Sequence, residues 1–253
     1  MANRIIHLFD LPINNLTMEE AIREIERLIE QGRPSLVFTP NVQHLCLLNK
    51  DALFRTAYRK ASLILPDGTP LFWFSRLVGR PLKERIAGAD LFIRLGEHAA
   101  SKNQSIFLLG SLPGVAEKAA KRLVAQYPGL KVVGTYSPPF GFENDRVETQ
   151  KILTMLHQKK PDILFVGLTP PKSEKWLADH LEEIDIPVSI CVGGAFDFAS
   201  GQKKRAPIWM QRIGLEWFFR LLNEPGRLWK RYLLGGFEFL YLMTKEIIKL
   251  KSR

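Results

Sequence analysis

The chain has 253 residues, of which 46% are hydrophobic and 25% are charged, and this composition excludes an intrinsically disordered protein. Its two cysteines, Cys46 and Cys191, lie far apart, which excludes a disulfide framework and indicates a reducing compartment. No apolar run reaches the roughly 18 residues of a membrane span, and the run after Arg4 is too short for a signal peptide, so we expect a cytoplasmic protein.

The net charge of +10 is concentrated near the C-terminus. Residues 203–253 contain 12 basic and 4 acidic residues, a net charge of +8, whereas residues 1–202 contain 24 basic and 22 acidic residues. We therefore expect a localised basic surface in the last fifth of the chain.

The first hundred residues predict short strands and amphipathic helices. Thr17 and Glu20 have capping-box spacing at the start of a helix, and Gly32 is a stop signal at its end. Hydrophobic periodicity and turn residues predict strands at residues 4–9, 35–39 and 62–65, a turn at residues 11–15, and helices at residues 17–31, 41–58, 71–78 and 91–101.

Two of these strands end in polar residues. Thr39 and Asn41 follow the strand at residues 35–39, and Asp67 follows the next strand. Since open α/β sheets bind ligands at the carboxyl ends of their strands, these side chains are expected to meet in one cleft. The alternative is that Asp67 only closes a Pro-Asp-Gly turn. Arg85, in a loop between two predicted helices, is either a solvated surface residue or an anion ligand.

From residue 104 onward the pattern alternates between strands and helices. Strands separated by helices of ten to fifteen residues indicate right-handed crossovers and a parallel sheet. The predicted strands are at residues 105–109, 131–135, 162–166 and 188–192, and the predicted helices are at residues 113–127, 145–159 and from 172 onward.

Glycines follow several of these strands, among them Gly110 and the pair Gly193-Gly194, with Asp197 close behind. Glycine at a strand end allows the backbone to approach a ligand closely, and the next helix N-terminus favours phosphate. No segment completes GxGxxG or a P-loop, so each is a weak signal alone. Together they predict a nucleotide-type crevice.

The last fifty residues are basic and aromatic. Three of the five tryptophans lie there, a helix is expected from Pro207, and breaks are expected at residues 223–226 and 235–236. An apolar stripe flanked by lysines is typical of a helix in a membrane interface, although it also fits a helix packed on its own domain. The stripe consists of Leu240, Met243, Ile247 and Leu250.

Six segments occur in a characteristic order along the chain. They are Thr39-Pro40-Asn41, Pro66-Asp67-Gly68, residues 85–90 (RIAGAD), residues 166–172 (VGLTPPK), residues 192–197 (VGGAFD) and residues 212–225, which begin RIGLEW and end RLLNEP. In this order they resemble the WecG/TagA/CpsF family of bacterial glycosyltransferases over about residues 5–234.

The resemblance and the strand pattern together imply an α/β fold with Rossmann-like parallel sheets and helices on both faces. Residues 1–202 would form the core, with an acceptor-side half at about 1–102 and a nucleotide-side half at about 103–202. Residues 203–253 would form a basic, aromatic, helical C-terminal appendage that associates with the membrane and completes the active site.

The activity that the resemblance implies is an inverting transfer of a sugar, with N-acetylmannosamine favoured, from a UDP-sugar to undecaprenyl-diphosphate-linked N-acetylglucosamine or a similar lipid-linked sugar. Such enzymes act in cell-wall or surface-polysaccharide synthesis at the inner face of the bacterial membrane. The implied partners are therefore the UDP-sugar, the lipid-linked acceptor and an anionic membrane surface, without nucleic acid. A homo-oligomer stays open, because family members can oligomerise.

The resemblance also implies residue roles. Asp67 would be the general base that deprotonates the acceptor hydroxyl, Thr39 and Asn41 would hold the sugars, and Arg85 would bind a phosphate. The chain has no Asp-x-Asp motif, so no metal cofactor is expected, and arginines would stabilise the leaving diphosphate. The residues assigned to UDP are Gly110, Gly193, Gly194, Asp197, Arg220, Arg227 and Lys230.

The chain departs from the family pattern at one place. Where the family usually has Gln-Glu after Pro-Lys, this chain has Ser173-Glu174, and both residues are expected to contact substrate. The shorter Ser173 side chain predicts an altered donor or acceptor preference. His44, one turn after Asn41, is expected to be a packed or solvated histidine rather than a residue of the cleft.

Two other function classes fit parts of the sequence. A non-enzymatic protein could use the basic tail to bind a nucleotide, a nucleic acid or anionic lipid, but the polar strand ends would then have no role. A Rossmann-type dehydrogenase is disfavoured, because GxGxxG with an acidic residue about twenty positions later is lacking.

Overall fold

The computed structural model describes residues 4–252, without the side chains of Arg227 and Arg231. Within these residues the centre of the fold is a six-stranded parallel sheet, accompanied by a two-stranded antiparallel hairpin. The strands are β1 Ile5–Leu8, β2 Leu11–Asn14, β3 Ser35–Phe38, β4 Ala61–Ile64, β5 Ser105–Gly110, β6 Lys131–Tyr136, β7 Ile163–Gly167 and β8 Val188–Cys191.

The helices of the described chain follow the strands closely in sequence. Those of the core are α1 Met18–Gln31, α2 Val42–Lys50, α3 Ala52–Arg59, α4 Thr69–Leu77, α5 Gly88–Ser101, α6 Val115–Gln126, α7 Arg146–Lys159, α8 Lys172–Asp179, α9 Leu181–Ile184 and α10 Ala195–Ala199. Those of the appendage are α11 Ile208–Arg212, α12 Glu216–Asn223 and α13 Pro225–Lys251. A 3-10 turn lies at Phe142–Asn144.

The strand order of the large sheet is β4-β3-β8-β7-β5-β6, and every neighbouring pair is parallel. Pairing of β3 with β8 joins strands from residues 1–102 and residues 103–202 in one sheet. Because all strands run the same way, the turns after β3, β4, β7 and β8 meet at one edge. The parallel α/β architecture with helices on both faces is confirmed, whereas the assignment of the halves to acceptor and nucleotide stays a prediction.

The sheet separates two hydrophobic layers, and successive residues of a strand face one layer and then the other. Leu36 and Phe38 of β3 face the layer built with α2, α3, α4, α7 and α8, while Val37 faces the layer built with α1, α5, α6 and α10. All three side chains are fully buried. The strands are short, continuous apolar runs because both faces of the sheet are covered.

In the first sixty residues one local prediction is wrong and another is confirmed except for a break in the helix. The predicted turn at residues 11–15 is strand β2, because Leu11 and Ile13 bury their side chains while the strand pairs with β1. The helix expected over residues 41–58 is divided at Asp51, whose side chain accepts a hydrogen bond from the backbone N–H of Phe54 and caps α3. The capping box at Thr17 and Glu20 is confirmed.

The appendage is helical as expected, but Gly235-Gly236 does not break it. α13 continues through both glycines for 27 residues. Its Phe239 and Leu242 are buried with the α2 layer, and the energy of this packing outweighs the poor helix propensity of two glycines.

The apolar stripe of this helix faces the protein in part. Met243 and Ile247 pack against the core, while Leu240 is exposed. The expectation that this stripe lies in a membrane interface is therefore corrected for Met243 and Ile247.

Candidate functional site

The carboxyl ends of β3, β4, β7 and β8 form one wall of a cavity of about 560 Å³, and the appendage forms the opposite wall. Most of the residues predicted from the sequence line this cavity. They are Thr39, Asn41, Asp67, Arg85, Glu174, Gly193, Gly194, Asp197 and Arg220.

Asp67 is held at the cavity by backbone hydrogen bonds on both sides. Its own N–H donates to the carbonyl of Pro40 at 2.9 Å, and the N–H of Gly88 donates to its Oδ2 at 3.4 Å. Gly68 follows with a φ of +132°, and a Cβ there would lie 3.3 Å from the Cβ of Asn41. The Pro-Asp-Gly turn therefore exists, and it presents the carboxyl group to the cavity.

The surroundings of Asp67 bring its pKa close to neutral pH and still leave the carboxyl mostly ionised at pH 7. Burial and, to a smaller extent, the negative charge of Glu216 raise this pKa, Arg85 and His44 lower it, and the net result is a rise from the ordinary value of 3.8 to about 6. A carboxyl group with a pKa of about 6 can accept a proton at neutral pH and release it again.

Thr39 and Asn41 are fixed by the turn between β3 and α2. The hydroxyl of Thr39 is buried and donates to the carbonyl of Cys191 at 3.1 Å, which links the ends of β3 and β8. Asn41 is the N-cap of α2, where its Oδ1 accepts from the N–H of Gln43 at 3.0 Å. The Asn41 amide nitrogen is not used in this cap and can donate to a ligand.

A buried polar chain lies behind Asn41. His44 Nδ1 lies 3.2 Å from the backbone nitrogen of Asn41, and His44 Nε2 lies 3.3 Å from Oε1 of Glu174. The hydroxyl of Ser173 donates to the other oxygen of Glu174 at 2.9 Å. Ser173 is 0% exposed and is not part of the cavity lining, so direct substrate contact is not supported for it.

Glu174 and His44 both line the cavity while remaining more than nine-tenths buried. The expectation that His44 is packed is thus confirmed, but the expectation that it is not a residue of the cleft is wrong. The side-chain pair joins α2 to α8 and supports the loop that carries Asn41.

Arg85 is part of a charged network that crosses from the core to the appendage. Its Nη1 lies 3.7 Å from Oε2 of Glu216 on α12, and Oε1 of Glu216 lies 3.6 Å from Nε of Arg205. Arg205 also forms a two-point ion pair with Asp90 at the start of α5. Arg85 is therefore a site residue and not a solvated surface arginine.

Of the residues predicted to bind UDP, one group lines the cavity, and the others either do not line it or are not described. Gly193 and Gly194 line the cavity next to Asp197, which accepts from the Ser111 hydroxyl at 2.9 Å and pairs with Lys203 at 3.0 Å. The guanidinium carbon of Arg220 lies 5.6 Å from the ring centre of Phe198, within reach of the same wall.

The other predicted UDP residues do not reach the cavity or are not described. Gly110 is absent from the lining, and its φ of +115° and the 2.8 Å from a Cβ there to the Gly167 carbonyl assign it to strand packing. Lys230 is exposed beside the Trp229 ring and also lies outside the lining. The Arg227 side chain lies outside the described residues.

Four charged residues of the site were not predicted as ligands, namely His44, Lys203, Arg205 and Glu216. Lys203 and Arg205 belong to the basic run at the start of the appendage, which was the available signal. Glu216 lies inside the resembling segment RIGLEW, but nothing in that segment indicates that it meets Arg85 from more than one hundred residues away.

Two features that would bear on function are lacking in the part of the chain that the structure describes. Among residues 4–252 there is no helix both long and apolar enough to cross a bilayer. The same part of the chain has no group of three or more His, Cys, Asp or Glu side chains placed to hold a metal ion.

Comparison with known proteins identifies clear relatives. The model of the family described as "Glycosyl transferase WecG/TagA/CpsF family" matches residues 6–253. An N-acetylglucosaminyldiphosphoundecaprenol N-acetyl-beta-D-mannosaminyltransferase of Bacillus subtilis (strain 168) is 35% identical over 234 residues, which is 92% of this chain and 88% of the relative. A protein of the same name from Staphylococcus aureus (strain MRSA252) is 26% identical over 250 residues, 98% of this chain and 94% of the relative.

Proposed function

The chain belongs to the WecG/TagA/CpsF family of glycosyl transferases, and we propose that it transfers N-acetylmannosamine from a UDP-sugar to N-acetylglucosamine carried on undecaprenyl diphosphate. The names of the Bacillus subtilis and Staphylococcus aureus relatives specify that acceptor. The observation that carries the proposal is the position of Asp67, a carboxyl with a raised pKa, in a cavity shared with Arg85, Arg205 and Arg220.

In this mechanism Asp67 is the general base. The acceptor hydroxyl attacks the anomeric carbon from the side opposite to UDP, and Asp67 takes the hydroxyl proton as the bond to the diphosphate breaks. Inversion at the anomeric carbon follows from this single displacement. Thr39 and Asn41, at the same edge, are proposed to orient the two sugars.

The leaving diphosphate is proposed to be stabilised by cationic side chains. Arg220 and Lys203 line the cavity together with Gly193, Gly194 and Asp197, and Arg85 lines it close enough to Asp67 to lower the pKa of that carboxyl. Guanidinium groups bind phosphate oxygens through paired hydrogen bonds, which supports a reaction without a metal cofactor. The side chain of Arg227 is proposed as a further ligand on the basis of the resemblance alone.

We also propose that the protein works as a peripheral protein at the inner membrane surface. The appendage exposes aromatic and apolar side chains, among them Trp209, Trp229 and Phe237, on a segment with a net charge of +8. Such a surface combines apolar insertion with attraction to anionic lipid.

A donor panel tests the proposed function. UDP-N-acetylmannosamine, UDP-N-acetylglucosamine and UDP-glucose are each incubated with undecaprenyl diphosphate-linked N-acetylglucosamine in the presence of EDTA, and the products are analysed by mass spectrometry and NMR. We expect transfer from UDP-N-acetylmannosamine with inverted configuration, and a loss of about 100-fold or more in Asp67→Asn.

Asp51→Asn is the matched control, because this aspartate caps α3 away from the cavity. Transfer that requires added Mg²⁺ or Mn²⁺ would contradict the metal-independent mechanism. No transfer from any donor, together with no UDP-dependent rise in melting temperature, would support a non-enzymatic binding protein instead.

A further inference from the structure

Two glycines in the middle of α13 are not explained by the helix itself. Gly235 and Gly236 lie within a continuous helix of 27 residues, where each glycine costs about 1 kcal/mol relative to alanine. Neither has a positive φ, so the backbone conformation does not require glycine. No atom lies within 4 Å of a Cβ built at either position, so close packing does not require glycine either.

Both glycines line the cavity, and the missing side chains enlarge it. The facing residues are Val42 and Cys46 of α2, and Phe239 follows one turn later on α13. We call the space between these five residues the apolar arm of the cavity.

The apolar arm contains no charge on its lining residues. The Cys46 thiol lies 3.7 Å from the carbonyl of Gly235, and burial raises the pKa of Cys46 to about 11, so the thiol is neutral at physiological pH. Asp67 and Arg85 line the same cavity from the segment between β4 and α5, while the buried pair of His44 and Glu174 lies beside the arm on α2 and α8. A ligand that reaches both the arm and Asp67 with Arg85 must therefore have a charged part and an uncharged apolar part.

The apolar arm and the loop that carries Gly193-Gly194 adjoin helices on opposite faces of the sheet. Ala195 and Phe196 of α10, directly after Gly193-Gly194, belong to the layer of α5 and α6. Phe239 of α13 and Leu45 of α2 belong to the other layer. A molecule in the apolar arm would thus lie next to α2 and α13, whereas the proposed UDP site lies next to α10 on the other face of the sheet.

An apolar track continues from the arm to the surface. Leu233 and Leu240 lie three residues before and four residues after Gly236, which places them on the same side of the helix. Both side chains are exposed, as is Phe237 next to them. This track leads from the cavity toward the surface that we propose contacts the membrane.

We propose that the apolar arm opened by Gly235 and Gly236 binds the first isoprene units of the lipid-linked acceptor. The inference rests on the proposed function, since it assigns a place to the acceptor of that reaction. A UDP-sugar has no apolar chain, whereas a prenyl diphosphate has a charged head and an uncharged tail. The two ends of the cavity match these two parts.

Gly236→Leu tests the proposal, because leucine fills the arm and is a better helix former than glycine. The variant is therefore expected to fold with an unchanged or higher melting temperature. Farnesyl diphosphate binding is measured by calorimetry on the full chain. We expect its Kd to rise roughly tenfold or more, the effect of excluding about two methylene groups from an apolar site, while the Kd of UDP stays unchanged.

Thr244→Leu is the control, since this residue is exposed on the same helix and outside the cavity lining. It introduces the same side chain and should bind both ligands like the wild type. The proposal is overturned if Gly236→Leu leaves the Kd of farnesyl diphosphate unchanged, if it weakens UDP instead, or if the wild type does not bind farnesyl diphosphate.

Transfer assays separate this proposal from the proposed function. The KM of Gly236→Leu should rise for N-acetylglucosamine diphosphate on undecaprenol and on a three-isoprene chain, but not for its methyl ester. Equal changes for all three acceptors would contradict the assignment of the arm. A wild type that binds farnesyl diphosphate but transfers no sugar would contradict the proposed function and leave the binding of the prenyl chain intact.

Discussion

Asp67→Asn is expected to stabilise the fold while it removes transfer. In the folded chain the pKa of Asp67 is about 6, compared with an ordinary value of 3.8. Since one pKa unit corresponds to about 1.4 kcal/mol, holding this carboxyl ionised in the fold costs about 3 kcal/mol at pH 7.5. Asparagine is neutral, and its Oδ1 can still accept from the N–H of Gly88. We expect a gain in the free energy of unfolding of about 1–3 kcal/mol.

The sign of the pH dependence follows from the direction of the pKa shift. The folded pKa lies above the unfolded pKa, so Asp67 is protonated in both states and carries no penalty below about pH 4; the penalty develops as the pH rises from about 4 to about 6 and changes little above that. The gain from Asp67→Asn should therefore fall to about half between pH 7.5 and pH 5.

Urea denaturation of both proteins at pH 7.5 and pH 5 measures this difference. Asp51→Asn is a control of opposite sign, because hydrogen bonds from Lys175 and from the backbone N–H of Phe54 lower the pKa of Asp51, and its replacement should give no gain at pH 7.5. An Asp67→Asn variant that is no more stable than the wild type at pH 7.5, or whose gain is the same at both pH values, would refute the argument that the Asp67 carboxyl is held ionised at an energetic cost.

Two further predictions concern the appendage. Glu216→Gln removes a negative charge that raises the pKa of Asp67, so the acidic limb of the kcat/KM profile, expected near pH 6, should move to lower pH. The control is Glu238→Gln, which removes the ion pair between the appendage and Lys50 of the core and should leave that limb in place. An acidic limb that does not move in Glu216→Gln would contradict the coupling of Glu216 to Asp67. Binding to vesicles that contain anionic lipid, measured by sedimentation, should weaken with added salt and in a variant that combines Trp229→Ala with Phe237→Ala. The control is Leu53→Ala, because Leu53 is also exposed but lies outside the appendage, and this variant should bind like the wild type. Equal binding by all variants would exclude the appendage surface as the membrane contact.

Several features of the fold and site could be predicted because they depend on neighbouring residues. The alternation of short apolar runs with amphipathic helices indicates a parallel sheet, and all its strands end at one edge. Thr39, Asn41 and Asp67 could thus be placed together from their positions after two such strands. The turn at Asp67 could also be predicted, because it depends only on the proline before this residue and the glycine after it.

Burial and long-range pairing could not be predicted in the same way. Ser173 and Glu174 are expected to contact substrate because of the family resemblance, yet α8 buries Ser173 in the core, where its hydroxyl donates to Glu174. Gly110 reads as a ligand-binding glycine, but the neighbouring strand end occupies the space beside it. In both cases the residue type fits the predicted chemistry, but the packing keeps the residue out of the cavity.

Composition, local pattern and ordered motifs are sufficient to predict the α/β class, the family, the polar strand ends and the basic, aromatic character of the last fifty residues. The packing of the folded chain is needed to see that Glu216 from the appendage lies between Arg85 and Arg205, and that Gly235-Gly236 opens a space against α2. The contact of Glu216 with Arg85 and the packing of Gly235-Gly236 against α2 both join residues more than one hundred positions apart. Their geometry depends on how the appendage packs across the sheet edge, and no local pattern encodes that packing.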